Sequence, residues 1–304
     1  MRRGGLALCS VFVLLTGSPV VAQGTSLRLP TLAQVKPLPP LPRLYREPNP
    51  GFLHDFKLSV EAGYSLTEKR RQPTRLRQSS VGGQLGLSFG IGQIGFASFT
   101  GSYSRENIKS TILAFPLSMD AGADALGFDA VIGIAPVPFL RAGVLAGVGS
   151  GSSSYQFVGV AAAPVGAKSG SFRYGGFVGA TYATGRWSVN LDAAILASRH
   201  RQEYDPTNIP PVAHFGSTIG MLTLSTTYDL TTRLRLLASL TVNQVLQEKI
   251  APAERGLDES WFTAQIGAGY MLTERWEITA KGTTWLSNQR MRYSRATLGA
   301  SYKF

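Results

Sequence analysis

Cysteine is almost absent from this sequence of 304 residues, in which Cys9 is the only one. Residues 1 to about 22 have the pattern of a signal peptide: two arginines, an apolar run from Leu6 to Leu15, and small residues near a cleavage site. Removal of this segment leaves a mature chain without cysteine. That excludes disulfides, thiolate metal sites and a cysteine nucleophile, and it suits export to an oxidising compartment.

Charge and long apolar runs are also scarce. Charged residues make up 16% of the chain, against roughly 25% in soluble domains. After the leader, no apolar run approaches the roughly 20 residues that a spanning helix needs, and the mean hydropathy is only +0.04. Together with 34 glycines and 10% aromatics, these values favour a sheet with lipid on one side and water on the other.

Residues 23–51 contain closely spaced prolines, which exclude a helix or a central strand and favour an extended polyproline II segment. These prolines are Pro30, Pro37, Pro39, Pro40, Pro42, Pro48 and Pro50. We interpret the segment as a periplasmic tether. The PxxP spacing at residues 37–40 leaves open that it binds a periplasmic partner.

From residue 52 onward, apolar and polar residues alternate with a period of two in segments of ten to fifteen residues. About twelve strands are predicted, near 54–66, 77–89, 93–104, 124–135, 139–150, 171–183, 186–199, 216–230, 233–247, 261–272, 275–287 and 293–304. In the third segment Ile94 and Phe96 have one parity while Phe99 and Tyr103 have the other, which predicts a β-bulge.

The connections alternate between short turns and longer loops, at 67–76, 105–123, 151–170, 200–215, 248–260 and 288–292. Aromatic residues cluster beside the short turns, at Phe56, Phe89, Phe139, Tyr182, Trp187, Tyr228, Tyr270 and Trp276. This arrangement predicts an all-β fold, a transmembrane antiparallel up-and-down barrel over residues 52–304. A soluble β-sandwich is the alternative, but sandwich strands are usually shorter and their inner faces do not carry Lys, Glu and Asp.

The last segment, residues 295–304, has apolar residues at every second position and ends on Phe304. Here the chain resembles bacterial outer-membrane β-barrel proteins, without matching a specific family; its size is similar to that of small porins. The resemblance implies a place in the cell outer membrane and a terminal aromatic residue, Phe304, that the barrel-assembly machinery reads.

Catalysis is not expected. The chain resembles outer-membrane phospholipase A in strand number only, because none of His54, His200 and His214 has that family's spacing to a serine. No cluster has metal-ligand spacing, although Asp120 and Asp124 could hold a cation weakly, and no cofactor is expected. The sequence therefore predicts a protein that is not an enzyme.

The basic residues suggest two roles. Lys69, Arg70, Arg71 and Arg75 fall in an external loop, where we expect them to face lipopolysaccharide phosphates. Nucleic acid is not expected as a partner, because aromatic residues do not interleave with these cations.

Parity places a second charged set inside the barrel as pore-lining candidates. They are Lys57, Glu61, Asp129, Arg141, Arg173, Asp192, Arg233, Arg235, Arg275, Lys281 and Lys303. Five of the cations, Arg141, Arg233, Arg235, Arg275 and Lys303, fall near the periplasmic strand ends and predict a basic collar.

Three functions are compatible with these patterns. The first is a passive channel for small, anionic solutes, which the basic collar favours. The second is a secretion or polysaccharide-export barrel that works with periplasmic partners through residues 23–51. The third is a closed structural or adhesive barrel that acts through its external loops.

Overall fold

The computed structural model describes residues 52–71, 74–112, 117–137, 139–158, 164–205, 212–248, 260–287 and 291–304. The expected signal peptide and the expected tether, residues 1–51 together, lie outside these residues. The chain forms twelve strands: β1 (Leu53–Arg71), β2 (Thr74–Ile91), β3 (Gly95–Ile112), β4 (Leu117–Val137), β5 (Leu140–Val158), β6 (Val165–Thr184), β7 (Trp187–Asp205), β8 (Val212–Asp229), β9 (Leu234–Glu248), β10 (Ser260–Met271), β11 (Trp276–Leu286) and β12 (Met291–Lys303).

The twelve strands form one closed barrel in which each strand pairs antiparallel with its neighbours in the chain. Strand β1 closes the barrel against β12, from Lys57 opposite Lys303 to Lys69 opposite Met291. Closure leaves no lateral sheet edge along this register, which is what a β-structure needs if lipid surrounds it. Among the described residues, no helix has the length and apolar character needed to cross a membrane.

The strands differ in length between the two halves of the barrel. Strands β1 to β8 have 18 to 21 residues, whereas β9 to β12 have 11 to 15. A tilted transmembrane strand needs about 9–11 residues, so the longer strands extend well beyond a bilayer. We call the end with the short connections the turn end and the opposite end the loop end. Much of what the sequence predicts as external loop at 67–76, 105–123 and 151–170 is therefore strand.

The outer surface carries an apolar band bounded by aromatic side chains. At the turn end, the rings of Trp187 and Tyr228 lie 4.6 Å apart, and those of Trp276 and Tyr302 lie 4.9 Å apart. Toward the loop end, Tyr174 is exposed and pairs with Ala197, ten residues along β7 from Trp187. At a rise of ~3.3 Å per residue and a tilt of ~40°, ten steps span about 25 Å, the height of a membrane-facing band.

Above this band the polar and apolar residues exchange faces, so that polar side chains face outward and apolar ones face inward. Within the band on β5, Val144 and Val148 face outward and are exposed, while Gly147 faces inward. Nearer the loop end of the same strand, exposed Ser154 faces outward and buried Tyr155 faces inward. Water replaces lipid outside the band, so the outer face becomes polar there and apolar side chains pack on the inner face.

The predicted bulge in β3 is wrong. The pairing of β3 with both neighbours is continuous, so Phe96 simply faces inward while Phe99 and Tyr103 face outward. The Phe96 ring lies 6.4 Å from that of Phe177 inside the barrel. Irregular pairing occurs instead at His54/Lys57, Ile134/Val137 and Thr218/Ile219.

Phe304 follows β12 directly and lies at the closing seam. Its backbone N–H donates to the carbonyl oxygen of Phe56 (3.0 Å), and its ring packs edge-on against Tyr302 at 4.9 Å. The ring is 67% exposed on the outer surface. The exposed side chain therefore buries little apolar surface within the barrel itself, and its role in assembly stays a prediction.

We expect deletion of Phe304 to lower the amount of folded barrel in the outer membrane severalfold, while barrels that do fold keep the stability of the intact chain. Heat-modifiable migration on gels measures the folded fraction, and Phe304→Ala separates loss of the ring from loss of the backbone contact with Phe56. Normal yield from both variants would contradict the predicted assembly role.

Candidate functional site in the barrel interior

The strand register determines which side chains face the interior, because directly paired residues point to the same side of a sheet. Glu61 on β1 pairs with Gln84 on β2 and with Gly299 on β12, and all three residues face inward. Charged residues predicted from parity follow this rule: Lys57, Glu61, Asp129, Arg141, Arg173, Asp192, Arg235, Lys281 and Lys303 occupy inward positions. Their role in lining a pore stays a prediction.

The inner side of β4 to β7 is filled, and we call it the packed face. Its large side chains form one buried cluster of Val131, Leu145, Phe177, Ala194 and Leu196. Glycines make this packing possible: a Cβ on Gly143 would lie only 2.8 Å from the Phe177 ring. The interior is therefore occupied by side chains on this side.

The opposite inner wall, formed by β1 to β3 and β8 to β12, is lined by short hydroxyl side chains. We call this wall the hydroxyl face. Its partly accessible members are Ser59, Ser65, Ser80, Ser88, Ser98, Thr100, Ser102, Thr223, Ser239, Thr241, Thr263 and Thr279. They run from the turn end, near Ser88, to the upper part of the band, near Ser80. Since they are partly accessible while the large side chains of the packed face are buried, we infer that the accessible space lies off the barrel axis, toward the hydroxyl face.

Several of these hydroxyl groups are already hydrogen-bonded to one another. Thr223 and Thr241 are paired across β8 and β9, with their Oγ1 atoms 2.9 Å apart, and Thr263 continues the row on β10. The Asn243 amide donates to Thr263 Oγ1 at 3.0 Å. The row is an ordered set of neutral donors and acceptors.

Apolar clusters flank the interior at the loop end. One contains Leu76, Ile108, Met119, Ala121, Tyr155 and Ala167, from β2 to β6. The other is built on Trp261 and Met291, with Trp285 packed against them. Beside the first cluster, Gln78 Nε2 donates to Glu106 Oε2 at 2.7 Å.

The charged residues of the packed face form close ion pairs. Both carboxylate oxygens of Asp192 accept from Arg141 Nη2, at 2.8 and 2.9 Å, and Arg141 Nε also donates to Oδ1 at 3.2 Å. Arg173 Nη2 lies 2.9 Å from Asp129 Oδ1. A planar guanidinium with two carboxylate oxygens is the strongest geometry available to such a pair.

Most charges of the hydroxyl face are also paired, but Arg295, inward and partly accessible on β12, has no ion pair within the described residues. Lys281 Nζ lies 3.5 Å from Glu61 Oε2, and Lys57 Nζ lies 3.7 Å from Glu277 Oε2. Arg235 Nε lies 3.1 Å from Asp229 Oδ1. Asp229 is the last residue of β8 and pairs with the inward Arg235, a position that strand parity alone did not identify.

The expected basic collar therefore requires correction. Arg141 and Arg235 are neutralised by the acids described above, and Lys303 Nζ lies 3.2 Å from Asp55 Oδ1. Arg275 does not line the interior, because its side chain contacts Tyr302 on the outer surface, and Arg233 is exposed in the turn that precedes β9. The excess of positive charge on which the predicted anion preference depends is not formed by these five residues.

Arg275 instead turns toward the outer surface, where its Nη1 donates to the Tyr302 hydroxyl at 3.4 Å. This hydrogen bond raises the pKa of Arg275 further above its ordinary value. The side chain is therefore a permanent cation beside the aromatic residues of the turn end.

The four residues expected to face lipopolysaccharide lie at the loop end. The backbone of Lys69, Arg70 and Arg71 belongs to β1, and Arg75 is exposed on β2. Further exposed cations lie outward near this end at Arg77, Arg105, Lys109, Arg199 and Arg201. Contact of this surface with lipid phosphates stays a prediction.

The histidines do not form one site. His54 at the turn end lies with Nδ1 2.9 Å from Asp55 Oδ2 and Nε2 2.8 Å from the carbonyl oxygen of Gly92. At the loop end, His200 faces inward, whereas His214 is exposed and faces outward. Within the described ranges, no group of three His, Cys, Asp or Glu residues could hold a metal ion.

Comparison with solved structures identifies the class of barrel. The translocator domain of autotransporter NalP from Neisseria meningitidis superposes with a TM-score of 0.71 and 14% identity, covering 82% of this chain and 88% of that domain. The transport unit of autotransporter AIDA-I from Escherichia coli gives a TM-score of 0.61 and 12% identity, covering 90% and 97%. The fold is that of a bacterial outer-membrane β-barrel.

A third outer-membrane barrel, a Pseudomonas aeruginosa FadL homologue, matches with a TM-score of 0.50 and 10% identity over 82% of this chain and 90% of that one. No protein-family model matches the sequence, and no curated protein matches it. At these identities the similarity establishes the fold of the outer-membrane barrel and leaves its activity to be argued from the interior.

Proposed function

We propose that this outer-membrane barrel is a passive channel for small polar solutes. The observation that carries the proposal is the unequal interior, in which one inner wall is filled by buried side chains and the other is lined by small, partly accessible ones. Small polar side chains along the full height of the band leave room for water and solutes and supply hydrogen bonds to them.

The proposal does not include the anion preference expected from the sequence. Six of the inward cations are matched by acids within 4.0 Å, and Arg295, which has no acid that close, is a single charge and not a basic ring. Acid and base in close contact largely cancel one another's field beyond a few ångströms. The supported function is thus a weakly selective passage.

A bulky residue on the hydroxyl face tests this proposal. We expect Thr241→Trp to reduce the single-channel conductance of the purified full chain in a planar bilayer severalfold, because the indole would enter the accessible space. Thr241 is inward and partly accessible, and its neighbour Leu240 is outward and exposed. The matched control is therefore Leu240→Trp, which places the same side chain in lipid.

Equal conductance of the two variants would place the conducting path elsewhere. Absence of conductance steps from the unmodified chain would count against a channel and would favour the closed structural or adhesive barrel.

Export of a polymer is the second candidate. Two of the structurally similar proteins are named as a translocator domain and a transport unit of autotransporters, and a hydroxyl-lined wall would also accommodate an extended polysaccharide. A barrel of this kind would work with periplasmic partners, and residues 23–51 are the segment proposed to contact them. Recovery of an envelope protein with the intact chain, and its loss when residues 24–46 are deleted, would favour export over free diffusion.

A further inference from the structure

Arg295 has no ion pair among the described residues, and this narrows the class of solute, on the assumption that the proposed channel function holds. We propose that Arg295 is a binding site, inside the passage, for the carboxylate group of a small polar solute. The proposal rests on the position of this side chain, on the carboxylates around it and on the neutral groups beside it.

Arg295 lies inside the barrel at the depth of the membrane. It pairs with Ser65 on β1 and Thr283 on β11, and its side chain is partly accessible. Nearby outward residues, Tyr64 and Leu298, are 50% and 62% exposed and belong to the apolar band. A charge at this depth needs water or a counter-charge beside it, and such groups usually mark a pathway for solutes or ions.

The side chain of Arg295 extends over β1. Its Nε atom lies 3.2 Å from the position that a Cβ on Gly63 would occupy, so the guanidinium lies over a residue that has no side chain to displace it. On the loop side, the next inward side chains are Tyr293 and Trp285, whose rings lie 4.9 Å apart. Neighbours on both sides restrict where the guanidinium can lie, and such preorganisation favours binding of a ligand.

The carboxylates nearest to Arg295 along the inner wall are bound to other partners. Glu61 on β1 lies with Oε2 3.5 Å from Lys281 Nζ. Glu106 on β3 is three strands away, about 14 Å at ~4.8 Å per strand, and accepts from Gln78 Nε2 at 2.7 Å. Among the described residues, the charge of Arg295 therefore lacks a close partner, and a carboxylate that enters with a solute can supply one.

A guanidinium with neutral polar groups beside it matches a solute that carries one carboxylate. Its planar N–H groups can donate to both oxygens of a carboxylate at once. Ser65 and Gln265 lie in the same inward row, are partly accessible and can form hydrogen bonds with the rest of the solute. A doubly charged phosphate would require a second cation, and the nearby Lys281 already pairs with Glu61.

Gluconate and sorbitol, two six-carbon probes that differ in charge, test the site. The purified full chain is inserted into a planar bilayer at low salt, where screening of the charge is weakest, and the fall in potassium chloride current is measured as each probe is added. We expect gluconate to halve the current at a concentration about tenfold lower than sorbitol does, the ratio that one charge-assisted hydrogen bond provides.

Variants of Arg295 identify the residue responsible. Arg295→Gln should abolish the difference between the two probes, because glutamine is polar but uncharged. Arg295→Lys keeps the charge and loses the planar fork, so the difference should fall to about threefold. The matched control is Arg292→Gln, which removes a cation from the outward face of the same strand and should retain the tenfold difference.

The outcomes separate the site from the channel. Conductance with equal effects of gluconate and sorbitol would overturn the site while leaving the channel intact, and so would a difference that survives in Arg295→Gln or is lost equally in Arg292→Gln. If Arg295→Gln fails to fold, which heat-modifiable migration on gels detects, the result for Arg295→Lys decides. Absence of conductance from the unmodified chain would overturn the channel and, with it, the site.

Discussion

Replacing Asp192 by alanine is expected to destabilise the barrel by about 3–5 kcal/mol, the usual result of removing one member of a buried ion pair. The carboxylate accepts three hydrogen bonds from Arg141, and the side chains are only 5% and 6% exposed for Arg141 and Asp192. Without it, a buried guanidinium loses the charge that compensates for its desolvation. Reversible urea unfolding in detergent or lipid measures the change in the free energy of unfolding.

Two further variants distinguish the loss of a buried partner from a general loss of charge. Glu203→Ala removes an acid that lies 2.6 Å from Arg201 in an exposed pair, and should change stability by less than about 1 kcal/mol. Arg141→Met combined with Asp192→Leu removes both charges, and should recover most of the stability that Asp192→Ala loses. A double variant as unstable as the single one would show that the pair stabilises through its neighbours instead.

The second large effect is expected from a side chain at Gly143. A Cβ there would lie 2.6 Å from the Ile132 carbonyl oxygen and 2.8 Å from the Phe177 ring, so both the neighbouring strand and the packed cluster would have to move. We expect Gly143→Val to destabilise the barrel by about 3 kcal/mol, at the upper end of typical overpacking costs. Thermal or urea unfolding of the purified barrel provides the measurement.

Gly101 offers a matched control, since a Cβ at this outward position would have no atom within 4 Å. Gly101→Val should leave stability unchanged or raise it, because valine suits a lipid-facing strand better than glycine. If the Gly143 and Gly101 variants behave alike, the close packing of Phe177 over Gly143 does not stabilise the barrel.

The membrane-embedded part of the fold could be predicted because lipid imposes a strict period of two. Along β7, Leu191 and Ile195 face lipid and Asp192 faces inward, and this alternation identifies both the strand and its orientation. The same parity placed most of the charged candidates inside. Parity fails at strand ends, and so Arg275, which lies in a turn and contacts the outward Tyr302, was misplaced.

The strand segments beyond the membrane could not be predicted in the same way. On β3, Arg105 and Lys109 face outward while Ile108 is buried inside, so the apolar face changes side within one strand. The period-two pattern of lipid-facing apolar residues ends at this point in the sequence, and its end predicts a loop where the structure has strand. The ion pairs between cations and acids could not be predicted from the sequence either, since the distance between Arg141 and Asp192 depends on strand register and not on sequence separation.

The unequal strand lengths have a consequence for the loop end of β8. Residues 212–216 pair with β7 on one side, but the register with β9 begins only at Ser217 opposite Glu248. Among the described strands, the far side of this stretch is therefore an open sheet edge, with backbone N–H and C=O groups directed away from β7. Such an edge accepts an additional extended segment by backbone hydrogen bonding, with little dependence on the sequence of that segment. The barrel is thus closed within the membrane, but above it, among the described strands, residues 212–216 are a place where its sheet can be lengthened.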